Sequence, residues 1–268
     1  DPGMTHYLSG HTDVISSLIH KTEIENLYII PSGISPPNPS ELLGSVRMRD
    51  LIEDLKKEWD IILFDSPPIA AVTDATTVAQ ILDSMVIVVK AGFTPKESLF
   101  RALLLLNANN MTSYNTDYQE AYDKSIAHNI GWLDFTHGLT FSNAVHVMCK
   151  RYPRLWPMGI LQMACFYGRN TYYTDSTIND DMFQVNDHKK FKKDTLNMIL
   201  DHGIRSPIFS AHYLKTSLAI FEEGDQLHQT EREILYRPLK RFLDSPLKAK
   251  HIKRVARQTL QLISKDYQ

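Results

Sequence analysis

Short apolar runs alternate with amphipathic stretches over the first hundred residues of the chain, and then the alternation stops. Leu27-Tyr28-Ile29-Ile30 is an apolar run ended by Pro31, Ser32 and Gly33, and it predicts a buried strand. Asn38 can cap the helix that follows, Pro39 fits its first turn, and Glu41 stands three residues after the cap. That helix carries Leu42, Leu43, Met48, Leu51, Ile52 and Leu55 close to a 3.6-residue period. Ile61-Ile62-Leu63-Phe64 and Met85-Val86-Ile87-Val88-Val89 predict two more strands. Thr94-Pro95-Lys96-Glu97 reads as a capping box with Pro in the first helical position. Continuous apolar strands between amphipathic helices imply a parallel sheet covered on both faces, an α/β architecture.

From Tyr118 onward helix formers dominate, and the breaks fall at Pro153, Pro157, Gly168, Gly203, Pro207, Gly224, Pro238 and Pro246. Helices are expected over 118–127, 137–151, 157–168, 188–202, 208–222, 229–243 and 246–265, which together make an all-α bundle. The last of these is basic on one side and apolar on the other, as a solvated packing helix is. Between the two halves the chain reads LLLLNANNMTSYNTDYQEAY, and the Asn-rich stretch predicts a loop. The expected organisation is therefore an α/β domain over 1–108, a linker or fusion seam over 109–117 and an all-α domain over 118–268. Met111 is either an ordinary residue or the start of a second reading frame joined to the first. The chain begins at Asp1 without Met, so a natural beginning upstream is expected.

Composition sharpens the division. Residues 1–110 hold six of the 26 aromatics and three of the 11 histidines, and both cysteines lie beyond them. The net charge of −2 gives no basic excess to recruit nucleic acid. No apolar run approaches the roughly 18 residues of a membrane span, and no signal pattern opens the chain, so a cytoplasmic location is expected. Cys149 and Cys165 are too few for a disulfide framework or a four-cysteine zinc site and are expected in the apolar interior.

Two sets of residues carry candidate chemistry. The first is Asp65, which follows the strand Ile61–Phe64 and precedes Ser66-Pro67-Pro68. A carboxylate at the carboxyl end of a buried parallel strand either caps the next turn or, as in P-loop ATPases, holds Mg²⁺ in the ligand crevice. The second set is His128, Asp134, His137 and His146, with His202 and His212 further on. Imidazole and carboxylate on facing helices can bind Zn or Fe, or they can simply be buried groups that hydrogen-bond locally. No H-E-x-x-H or carboxylate-plus-E-x-x-H pattern occurs. The nine-residue spacing of His137 and His146 places them on opposed faces of one helix.

Several motifs in order carry a family resemblance. Pro36–Leu43 reads PPNPSELL, Asp65–Pro68 is D-x-P-P, Val72–Ala75 is VTDA and Val88–Gly92 is VVKAG, and the opening stretch Pro2–Gly10 is PGMTHYLSG. Residues 2–105 thereby resemble the rear part of the bacterial tyrosine kinases of capsule and exopolysaccharide export, in the MinD-like branch of P-loop ATPases. The resemblance implies a partial P-loop ATPase fold with Asp65 as the Walker B carboxylate and Asp74 near the same pocket. It also implies Mg-ATP as the cofactor of the intact family. The implied partner is a membrane polysaccharide-export adaptor that would bring the chain to the inner face of the membrane. The family's G-x-x-x-x-G-K-[ST] loop occurs nowhere in residues 1–268, so the chain by itself is expected to be inactive as a kinase. Tyr114, Tyr118 and Tyr122 are a poor substitute for the family's terminal tyrosine cluster, since their spacing is that of a helix face. A sheet without its first strand leaves one side uncovered and invites self-association or pairing with another chain. Separately, residues 125–220 are faintly similar to a helical domain that follows Rieske-type iron–sulfur modules in some bacterial proteins. Because Cys149 and Cys165 lack the ligand spacing of such a cluster, that resemblance implies at most a His-lined metal or small-molecule site, and a non-catalytic interaction module is the remaining alternative.

Overall fold

The computed structural model describes residues 2–37, 39–66, 78, 81–90, 92–120, 130–201 and 207–245, together with 256, 259, 260 and 263. It divides into two compact units, residues 1–87 and 88–268. Asp74, His128, His202, Tyr122, the Pro67-Pro68 pair and nearly all of the expected 246–265 helix lie outside the described residues.

In the first unit the described elements are helix α1 (Met4–Leu8), strands β1 (His20–Lys21) and β2 (Tyr28–Ile29), and helices α2 (Pro39–Leu43) and α3 (Val46–Leu55). The expected helix after Pro39 is interrupted at Gly44-Ser45, because the Ser45 hydroxyl accepts from Met48 N at 3.3 Å and starts α3 afresh. The periodic residues Met48, Leu51, Ile52 and Leu55 form the buried stripe of α3, as their spacing predicts. They make a core with Tyr7, Leu8, Leu18 and Val78. Arg47 ties this core to the loop after α1, donating to Tyr7 O at 2.8 Å and Thr12 O at 3.1 Å and pairing with Asp13 at 2.7 Å. Gly3 is needed where it stands, since a Cβ there would lie 2.4 Å from the backbone of Pro31 and Gly33.

The expected parallel sheet is not seen among the described residues. The paired strands are β1 and β2, two residues each and antiparallel. Ile61–Phe64 and Met85–Val89 run without ladder partners in the described chain. Tyr28 and Ile29, expected to be buried, are 39% and 53% exposed. An apolar run acquires strand pairing only when a neighbouring strand offers its amides and carbonyls.

The second unit is helical, as expected of the later half. Its described helices are α4 (Lys96–Thr112), α5 (Asp117–Glu120), α6 (Trp132–Arg151), α7 (Trp156–Thr171), α8 (His188–Leu200), α9 (Pro207–Gly224) and α10 (Gln229–Asp244). α4 is the central helix and packs against α6, α7 and α10. Phe100 and all of Ala102–Thr112 are buried, which is how a helix apolar on every side satisfies its surface. The Asn-rich stretch expected as a linker is thus the end of a buried helix. Asn107 Nδ2 donates to Leu103 O and to Met163 O of α7 at 3.2 Å, and Asn110 Nδ2 donates to Tyr167 O at 3.0 Å and Thr171 Oγ1 at 2.8 Å. Beyond α4, Ser113 O accepts from Asp175 N at 2.8 Å and Asn115 N donates to Tyr173 O at 3.0 Å, joining the ends of α4 and α7. The Arg241 guanidinium donates to Thr112 O at the C-terminal end of α4, and burial pushes its pKa down to about 10. Thr94 does not cap α4. Its hydroxyl accepts from Lys90 N at 3.0 Å, and Pro95 occupies the N-cap position. Gly168 lies within α7 and Pro238 within α10, so neither is a break.

Candidate functional site

Asp65 ends the extended segment Ile61–Phe64, whose Ile62 and Phe64 pack on the α3 core. The carboxylate itself is exposed. The segment that it ends forms no strand among the described residues, so the strand-end placement expected of Asp65 is not seen there. Its companion Asp74 is outside the described residues.

In the helical unit the sequence candidates separate into three arrangements. Asp134 sits in the first turn of α6, where its Oδ2 accepts from Gly131 N at 2.9 Å and its Oδ1 pairs with Arg169 at 3.2 Å. His137 of α6 meets His212 of α9, Nε2 to Nε2, at 3.1 Å. His146 of α6 meets Glu223 of α9, Nδ1 to Oε2, at 2.7 Å. Low-numbered residues of α6 pair with low-numbered residues of α9, so the two helices run in the same direction. His137 and His146, expected on opposed faces, both reach α9 eleven residues apart, and they share a partner helix without sharing a site.

Residues not singled out in the sequence complete these contacts. Glu223 is 3% exposed and also accepts from Asn143 at 3.0 Å. Glu233 of α10 pairs with His188 at 3.0 Å and accepts from Val185 N at 2.8 Å. A carboxylate inside an otherwise apolar helical stretch, such as Ile220-Phe221-Glu222-Glu223, is the signal that points to them. Cys149 is buried, which raises its thiol pKa, whereas Cys165 is exposed, contrary to expectation, because α7 turns only Trp156, Met163 and Asn170 fully inward.

These arrangements test the metal expectation. Among the described residues no group of three or more His, Cys, Asp or Glu side chains converges as a metal site would require. Resident zinc uses at least three protein ligands, and His137 with His212 supplies two. The described residues thus do not fit a resident Zn or Fe, and the histidines act as hydrogen-bonding clips between helices.

The His137–His212 clip has a defined proton arrangement. His212 Nδ1 lies 2.6 Å from the Ile208 carbonyl, which can only accept, so Nδ1 carries the proton and the neutral Nε2 accepts. His137 Nε2 must then donate across the 3.1 Å contact. A second proton on His212 would turn its Nε2 into a donor, and the contact would then last only if His137 moved its own proton from Nε2 to Nδ1. Burial holds His212 below its ordinary pKa of 6.5, and nearby Lys215 adds to this against the opposing pull of the Ile208 carbonyl. Burial likewise lowers His137, with Lys215 and His212 adding to it. His137 keeps much of its surface in water, so the pH argument rests on buried His212. With a folded pKa below the unfolded one, the unfolded chain binds more protons as pH drops through 6.5. Stability is therefore full above that value and lost beneath it, at up to about 1.4 kcal/mol per pH unit for one proton. Urea midpoints of the helical unit should fall between about pH 7.5 and about pH 5.5, and His212→Gln should flatten part of that fall. Parallel curves for the two proteins would remove His212 from the account.

No protein-family profile matches the chain, and no solved structure matches it. Curated relatives match part of it. The tyrosine-protein kinase CpsD of Streptococcus pneumoniae serotype 4 is 40% identical over 100 residues, which is 37% of this chain and 44% of that protein. CapB of Staphylococcus aureus, named a putative tyrosine-protein kinase, is 38% identical over 104 residues, 39% of this chain and 45% of CapB. The tyrosine-protein kinase YwqD of Bacillus subtilis is 34% identical over 105 residues, 36% of this chain and 44% of YwqD. The chain spans less than half the length of these relatives. Over about a hundred of its residues, the protein is similar to bacterial tyrosine kinases.

Proposed function

We propose that residues 2–105 are a portion of a tyrosine-kinase ATPase domain of the capsule and exopolysaccharide type, and that Asp65 is its Mg²⁺ carboxylate. We propose equally that this polypeptide alone neither binds Mg-ATP tightly nor phosphorylates tyrosine. The observation that carries the reading is the ordered set of motifs around Asp65 in a chain of 268 residues that contains no G-x-x-x-x-G-K-[ST] segment. Grip on a triphosphate comes from a ring of loop amides and a lysine, and a strand-end carboxylate cannot replace them. A partner protein of the export machinery would bring the chain to the inner face of the membrane; no helix among the described residues is long and apolar enough to cross one.

Titrating the purified chain with ATP in the presence of Mg²⁺ tests this. The expected result is no saturation up to roughly millimolar nucleotide, where the intact family's loop would give far tighter binding. Saturable micromolar binding that Asp65→Asn abolishes would place a complete nucleotide site in this polypeptide and overturn the reading.

A further inference from the structure

Helix α7 is apolar on two opposite sides, and one of them is covered. Trp156, Met163 and Asn170, seven residues apart, form the side turned into the helical unit. Met158, Cys165 and Tyr172 repeat at the same interval, two residues further on. At about 100° per residue, two residues carry the chain about 200° round the axis, so this second line runs along the outer side. Tyr172, the C-cap, keeps helical backbone angles and belongs to the same line. Leu161 and Gly168 stand between, which gives the 3-4-3-4 spacing of a packing seam. Met158 is 64% exposed, Leu161 67% and Tyr172 75%, and Cys165 is exposed as well. A surface helix carries polar residues opposite its buried stripe, and α7 carries a second apolar stripe there instead. No charged residue occurs from Trp156 through Gly168.

Gly168 is an independent sign. Glycine is the poorest helix former after proline, so one inside an exposed helix needs a reason. A Cβ at Gly168 would meet nothing within 4 Å, so the packing of the chain itself does not supply that reason. Gly159 on the same helix differs, since a Cβ there would lie 2.7 Å from Val145. A bare glycine on an outer helix face admits the close approach of another segment.

We infer that the outer stripe of α7 is a dimer interface whose occupant is the same stripe of a second copy, laid antiparallel with Cys165 on the twofold axis. The stripe is nearly symmetric about Cys165. Met158 and Tyr172 stand seven residues to either side, and Leu161 and Gly168 four and three. At about 1.5 Å per residue, Leu161 and Gly168 lie about 6 Å and about 4.5 Å from the centre. Reversing one copy sets Leu161 of each chain over Gly168 of the other, a bulky side chain in a notch without one, and Met158 beside Tyr172. A twofold interface requires such self-complementarity. An uncharged stripe also meets its own copy without like-charge repulsion, and Arg169 at its flank is already paired with Asp134. A contact one helix wide lies at the small end of specific interfaces, so the association is weak and concentration-dependent.

Sedimentation equilibrium of the full chain, under reductant and up to about 100 µM, tests the interface, and a monomer–dimer equilibrium is expected. Leu161→Asp and Gly168→Leu should each weaken it at least about tenfold, while Met182→Asp, at a 71% exposed position off α7, leaves it unchanged. Gly168→Leu is the decisive variant. It adds apolar surface and helix propensity, so indiscriminate sticking would be strengthened by it, whereas a seam that needs the notch is weakened. Far-UV circular dichroism of the variants should match the parent, since each change is made at an exposed position. With the reductant removed, diamide should join the two Cys165 thiols. One S–S bond forms, and two protons and two electrons pass to diamide, which becomes the hydrazine. Cys165→Ser should remove that covalent dimer, because Cys149 is buried. A chain that stays monomeric at about 100 µM overturns the inference, as does a dimer indifferent to Leu161→Asp or strengthened by Gly168→Leu, or one that forms no Cys165 disulfide.

Discussion

Trp132→Ala should destabilise the helical unit by about 3–5 kcal/mol, the range for truncating a large buried aromatic. Trp132 is 1% exposed at the start of α6. Its ring packs edge-on to Tyr114 at 5.0 Å and lies 5.5 Å from Phe242. Its indole N–H donates to Ser245 Oγ at 2.9 Å, and its backbone N–H donates to Gln119 Oε1 at 3.1 Å. One side chain thus joins the loop after α4, the start of α6 and the end of α10. Removing it leaves a cavity, and it also strips the Ser245 hydroxyl of its indole donor. Trp132→Phe keeps most of the apolar contact and should lose only about 1–2 kcal/mol. Urea unfolding followed by far-UV circular dichroism measures both, and a loss below about 1 kcal/mol for the alanine variant would show that the cluster collapses to fill the space.

The second large effect is expected at Glu223. Glu223→Ala should cost about 2–3 kcal/mol, because it removes two hydrogen bonds to a carboxylate that is 3% exposed and takes away the acceptor of the half-buried His146 ring. His146 at 2.7 Å and Asn143 at 3.0 Å both depend on it. Its neighbour Glu222 is exposed and also accepts from Asn143, at 3.1 Å. Glu222→Ala should stay within about 0.5 kcal/mol, as exposed substitutions do. Equal losses for the two variants would mean that the α6–α9 contact does not depend on the buried carboxylate. The contrast is sharp because the two glutamates are adjacent in sequence and chemically the same.

That contrast shows where sequence reading reaches and where it stops. Helix formers between proline and glycine breaks located α6 through α10, although α6 starts at Trp132, before the expected 137, and the 3.6-residue spacing identified the buried stripe of α3. Both follow from local geometry, since a helix repeats its faces whatever its neighbours are. The motif order around Asp65 was legible in the same local sense, and it agrees with the partial match to tyrosine kinases. Strand pairing was not legible, because a ladder requires a second strand that the local pattern does not specify. Ile61–Phe64 has the composition of a buried strand and half of its burial.

The Asn107–Asn110 stretch makes the same point inside the helical unit. Asparagine competes with the helix for backbone hydrogen bonds when it is solvated, which is why the stretch reads as a loop. Here the amides of Asn107 and Asn110, three residues apart, meet carbonyls of α7 that have spare acceptor capacity, and the helix continues through them. Likewise the histidines announced polar chemistry, and only the packing of α6 on α9 decided that His137 would face another histidine and His146 a glutamate. The sequence by itself determined the helices, their apolar stripes and the kinase-like order of motifs, because these depend on neighbours along the chain. The tertiary structure decided which polar groups are buried, which partners they have and which strand face stays bare, because those depend on residues that folding brings together from distant parts of the chain.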